Sequence, residues 1–171
     1  LGATGAANEI TKLPGSTTRL LIFTGLGEAK KDYAHEVLRR AAGAAARALA
    51  GEKSAAVALP TTSIEQVAAI AEGMTLGAYA FDEFRGSSKA ERKAPLAGAT
   101  VHTKMANSAE AKAAVKRAVI IGEYTKLVRD LINTPPSHLT PDSFTKRFAA
   151  VVKTLGGSAA HLKVTILNEK Q

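Results

Sequence analysis

The sequence predicts an α/β fold in which a mostly parallel sheet is flanked by helices. Three observations point there. Short apolar runs, RLLIFTG at 19–25 and SAAVALP at 54–60, and the alternating GATVHTKM at 98–105 read as strands. Segments whose apolar residues recur every three or four positions lie between them. Strands that alternate with helices pair in parallel through right-handed crossovers. A chain of 171 residues is long enough to bury a sizeable core around such a sheet.

The elements follow in order. The opening LGATGAANEITKLPG is rich in Gly and Ala, and Pro14-Gly15 signals a turn. The run 19–25 is a buried strand closed by Gly25-Leu26-Gly27. Ala34, Val37, Leu38, Ala41, Ala45 and Leu49 then form one stripe of a helix over 32–49, which Gly51 stops. After the strand at 54–60, Thr62-Ser63 opens a helix whose apolar positions run from Ile64 to Phe81. Gly73 and Gly77 on it permit close backbone approach, which is expected against the sheet. The polar, basic stretch 85–95 is a loop, and 98–105 alternates like a half-exposed strand.

Asn107 and Glu110 have the spacing of a capping box. The helix they start runs from about 108 to 133, roughly 39 Å at 1.5 Å per residue. Its apolar stripe is Ala111, Ala114/Val115, Ala118/Val119, Gly122, Val128 and Leu131/Ile132. Pro135 and Pro136 end it, because the residue before proline is steered out of the helical region. Thr140-Pro141 caps the next helix, through Phe144, Phe148, Val151 and Leu155. LKVTILN at 162–168 reads as one more strand, belonging to a second sheet.

Composition excludes several classes. With no cysteine there is no disulfide framework, thiolate metal site or cysteine nucleophile. No apolar run reaches the roughly 20 residues that span a bilayer, so no membrane partner is expected. The formal charge of +8 raises nucleic acid as a partner. The basic residues are nevertheless spread over several elements without interleaved aromatics, so a solvated face is favoured over a DNA-binding one.

Chemistry-bearing patterns are sparse. His35, His102, His138 and His161 sit on different elements and show no metal-ligand spacing. Gly25-Leu26-Gly27 lacks the third glycine of a dinucleotide fingerprint, and a tight turn is the favoured reading over a phosphate cradle. Asp82 and Glu83 are adjacent and point in different directions, so they do not form an acid/base pair.

The segment RDLINTPPSHLTP at 129–141 resembles the interdomain junction of the leucyl (cytosol) aminopeptidase family. EGMTLGAYAFDEFR at 72–85, FTGLGEAK and VTILNEKQ resemble further segments of that family in order and spacing. The resemblance covers nearly the whole chain. The junction signature comprises Arg129, Asp130, Asn133, Thr134, Pro135, Pro136, His138, Leu139, Thr140 and Pro141. It implies a macro-domain-like N-terminal domain at 1–106, truncated at its start, then an interdomain linker helix at 107–134. Residues 135–171 would begin a second α/β domain, the catalytic one. It further implies a cytoplasmic homohexamer that releases N-terminal residues, leucine preferred, from peptides with two divalent metal ions, manganese or zinc. The family's metal and catalytic segments have no counterpart in this sequence. No catalytic, cofactor or metal residue is therefore assigned, and this stretch alone is expected to be inactive. A DNA-binding regulatory or architectural role is the alternative, and an ADP-ribose pocket a weaker third.

Overall fold

The computed structural model describes residues 2–156 and 161–167. These form two compact units, 1–127 and 128–171. The first carries strands β1 (Ile10–Pro14) and β2 (Leu20–Thr24), helix α1 (His35–Ala48), strand β3 (Ala55–Val57), helix α2 (Ile64–Gly77) and strand β4 (Ala99–Val101). Helix α3 (Ala109–Asn133) runs on into the second unit, which also holds α4 (Pro141–Thr154).

The α/β class holds, with the strands in two small sheets. β3 and β4 pair in parallel, as a crossover through α2 requires, whereas β1 and β2 pair antiparallel. β1 is an addition to the expected order. Its ITKLP sequence carries Lys12 and Pro14, so no continuous apolar run betrays it. An outer strand tolerates proline, and a five-residue loop after Pro14 returns the chain as a hairpin. Lys12 has a use of its own. Its Nζ donates to the Ala48 carbonyl at 2.7 Å, placing a cation at the negative end of α1.

The core of the first unit lies between helices and sheet. Leu38, Ala42 and Ala46, four residues apart on α1, meet Ile70 and Met74 of α2, with Val57 and Leu96 beside them. Small residues set the spacing of this helix pair. A Cβ on Gly73 would stand 2.2 Å from the Arg39 carbonyl oxygen, and one on Gly77 2.4 Å from that of Gly43. The two glycines thus admit α1, not the sheet. Helix-to-helix contact at this range needs a bare backbone on one side, and Ala42 and Ala46 supply short side chains on the other. Arg39 closes the rim of the pair, donating from Nε to Glu72 at 2.8 Å and also pairing with Glu36.

Gln66 is 2% exposed and ties the N-terminus of α2 to the loop before α1. Its Oε1 accepts from the Thr62 amide at 2.6 Å, and its Nε2 donates to Asp32 and to the Tyr33 carbonyl at 2.7 and 2.8 Å. The Asp32 carboxylate also accepts from the Thr62 hydroxyl. That hydroxyl first, and the Gln66 amide second, hold the Asp32 carboxyl below the usual carboxylate range. A depressed acid supports the fold above its unfolded value, about 3.9, and the support is lost as pH falls through the lower folded value. Between pH 6 and pH 2, the melting temperature of Asp32→Asn is therefore expected to fall less steeply than that of the unaltered chain. Parallel melting curves would show that the carboxylate is idle.

Helix α3 departs from the expected stripe. Ala111, Ala118 and Gly122 are buried, while Val128 and Ile132 are 52% and 76% exposed. Gly122 is pressed against Thr75 of α2, where an added Cβ would fall 2.5 Å from the Thr75 methyl. The cap is Ser108 rather than Asn107: its Oγ accepts from the Ala111 amide at 3.2 Å. The expected strand at 162–168 is not seen. Residues 162–167 are exposed and pair with no strand among the described residues, and a strand without a ladder does not form; Asn168 lies outside them.

Candidate functional site

The junction is built from the end of α3, a double-proline turn and the start of α4. Arg129, Asp130 and Asn133 occupy the last turns of α3. Thr134, 5% exposed, closes the helix by donating its amide and its hydroxyl to the Asp130 carbonyl, at 3.0 and 2.6 Å. Arg147, from α4, donates to the same hydroxyl at 3.4 Å and so links the two helices across the turn.

Pro135 and Pro136 cannot donate backbone hydrogen bonds, so the turn is closed from its far side. The Pro135 carbonyl accepts from both the His138 and the Leu139 amides, at 2.9 and 3.0 Å. The His138 ring meets the Ser137 hydroxyl through Nδ1 at 3.0 Å, and its carbonyl accepts from Ser143 Oγ at 2.8 Å. Thr140 is the N-cap of α4 and Pro141 its first residue. The Thr140 hydroxyl accepts from the Ser143 amide, and Ser143 Oγ accepts from the Thr140 amide at 2.8 Å. Ser143 thus serves the cap and the turn together, a role that its sequence position did not announce.

All ten signature residues therefore lie on one short stretch of structure, and its visible work is architectural. Thr140→Ala is expected to cost the ~1 kcal/mol typical of a lost N-cap. Amide exchange in the first turn of α4 should then quicken about fivefold, one kcal/mol in the opening equilibrium. Unchanged exchange would show that Pro141 and Ser143 hold the helix start unaided.

Among the described residues no three His, Asp or Glu side chains converge as a metal site demands, so no step through a metal is derived from this segment. The Gly-Leu-Gly turn is likewise committed. The Gly25 and Gly27 amides donate to the carbonyls of Glu9 and Gly5 at 2.8 and 2.9 Å, and a Cβ on Gly25 would strike the Ala6 carbonyl. Those two donors are spent on the chain itself, in keeping with a tight turn rather than a phosphate cradle. Many cations are paired locally: Arg40 with Glu36, Arg85 and Arg92 with Asp82, Lys126 with Glu123, Lys146 with Asp142. These pairs leave fewer unpaired cations for a nucleic-acid backbone to meet. No helix among the described residues is long and apolar enough to cross a membrane.

The architecture matches solved structures of two enzymes. The bottromycin maturation enzyme BotP in complex with Mn superposes with a TM-score of 0.73 at 30% identity, over 91% of this chain and 32% of that one. A variant of tomato leucine aminopeptidase gives 0.75 at 23% identity, over 88% and 30%, which bears on the fold alone. The model described as "Cytosol aminopeptidase family, N-terminal domain" matches residues 1–88. The chain belongs to the cytosol aminopeptidase family. Among its relatives, a probable cytosol aminopeptidase of Streptomyces avermitilis is 44% identical over 99% of this chain and 34% of its own length. One from Micrococcus luteus is 40% identical over 96% and 33%. The chain spans about a third of the length of these curated relatives.

Proposed function

We propose that this chain is the non-catalytic N-terminal part of a two-metal aminopeptidase that removes N-terminal residues, leucine preferred, from peptides. The observation that carries the reading is the likeness to probable cytosol aminopeptidases along 99% of the chain, with the family's N-terminal domain matched at 1–88. Residues 1–106 would serve as the domain proper, 107–134 as the linker helix and 135–171 as the start of the catalytic domain. The junction turn would join the linker helix to the start of the catalytic domain. Its supports are the Thr134 closure, the doubly used Pro135 carbonyl and the Thr140 cap.

The two metal ions, manganese or zinc, would be held outside this segment, where a paired site activates water and polarises the scissile carbonyl. The working form would be a cytoplasmic homohexamer, with itself and peptides as its partners. The test is to express the complete reading frame and this chain separately, and to assay leucine-arylamide cleavage with manganese. Cleavage by the former, its loss on chelation and none by the latter are expected. A metal-loaded full-length protein that leaves aminoacyl arylamides intact would overturn the reading.

A further inference from the structure

Among the described residues, no strand pairs with the outer edge of β4. In a parallel ladder, alternate residues of a strand direct both backbone groups to the same side. The Ala55 amide donates to the Gly98 carbonyl and the His102 amide to the Val57 carbonyl, at 3.1 and 2.8 Å. Gly98, Thr100 and His102 therefore address β3, while the amides and carbonyls of Ala99 and Val101 face outward. Ala99 and Val101 also line a groove of about 540 Å³. Its lining includes Ala71 and Met74 of α2, and Val115 and Val119 of α3.

We propose that this groove takes up an extended peptide segment from a partner, added to β4 as a further strand. Two outward donors and two outward acceptors at strand spacing are matched in full only by another backbone. The apolar lining would receive side chains of that strand. Charge gives the segment its character. Lys112 and Lys126 stand at the groove, 14 positions apart on α3, or about 21 Å along the helix. Six residues of extended chain cover about 20 Å. Lys126 is paired with Glu123 at 2.9 Å, whereas among the described residues Lys112 makes no ion pair. The occupant is thus an apolar, β-prone segment of about six residues with an acidic group at the Lys112 end.

The probe is the blocked peptide acetyl-Val-Thr-Val-Thr-Val-Glu, titrated into the isotope-labelled 171-residue chain. Saturation is expected to slow amide exchange at Ala99 and Val101 at least tenfold, with Thr100 little changed. Ala99→Pro removes an outward donor at an edge position where proline is tolerated, and should weaken binding at least tenfold. Lys112→Glu, on the surface of the helix, should shift preference to the same peptide ending in Lys. If Ala99→Pro fails to fold, exchange in the unaltered chain and the Lys112→Glu preference decide. Four results would overturn the proposal: no binding at millimolar peptide, binding that leaves Ala99 and Val101 exchanging freely, equal binding of both peptides by both chains, or full affinity in folded Ala99→Pro. Protection of those amides in a peptide-free dimer would also overturn it, naming a second copy as the occupant.

Discussion

Gly73→Ala is expected to destabilise the chain by about 3 kcal/mol, the upper end of the usual cost of overpacking. At an exposed helical site the same change gains about 1 kcal/mol from helix propensity. Here the new methyl would stand 2.2 Å from the Arg39 carbonyl oxygen and 3.0 Å from the Ala42 methyl. Neither can retreat: one is helix backbone and the other belongs to a fully buried side chain. The helices would have to separate, loosening Leu38 against Ile70. Gly43 is the control, because its added Cβ would lie 3.3 Å from the Gly73 carbonyl and needs only a few tenths of an ångström. Denaturant titration of both variants should place Gly43→Ala near the unaltered chain and Gly73→Ala far below it. Equal midpoints would mean that the helix pair is not packed this closely in solution.

Gln66→Leu is expected to cost about 2–3 kcal/mol, although it keeps a comparable helix former and places an apolar side chain at a buried site. The amide group of Gln66 satisfies the Thr62 amide, Asp32 and the Tyr33 carbonyl at once. Leucine fills similar space and satisfies none of them. Gln66→Glu separates shape from charge: it keeps the acceptor for Thr62 but faces Asp32 with a second carboxylate. Its deficit should shrink as acid neutralises the pair. A Gln66→Leu chain as stable as the parent would show that water replaces the lost hydrogen bonds at little cost.

Helix starts and stops were the most legible part of the sequence, since their chemistry is local. Ser63 and Thr140 carry caps where their position beside apolar stripes places them, and Pro135-Pro136 ends α3 at the residue expected. Longer-range features were harder to read. β1 escaped because a strand with Lys12 and Pro14 has no apolar run, and its evidence is its pairing to β2. The helix-to-helix role of Gly73 and Gly77 was hidden for the same reason: a glycine shows that something comes close, not what comes. Ser108 displaced Asn107 as the cap of α3 because both precede the helix and only its exact first turn decides. The junction residues stood out as a block, yet the centrality of Ser143 emerged only from its bonds to His138 and Thr140.

The uncovered flanks of α3 and α4 have a colloidal consequence. Val128, Ile132, Phe144 and Phe148 are each at least 45% exposed, in a chain carrying a formal charge of +8. At low ionic strength mutual repulsion holds copies apart before such residues meet. The Debye length shrinks to about 10 Å at 0.1 M salt and 3 Å at 1 M. Added salt removes that barrier while leaving the sticky side chains in place, so the 171-residue chain should salt out readily, and a purification that keeps it dispersed will be one run in dilute buffer.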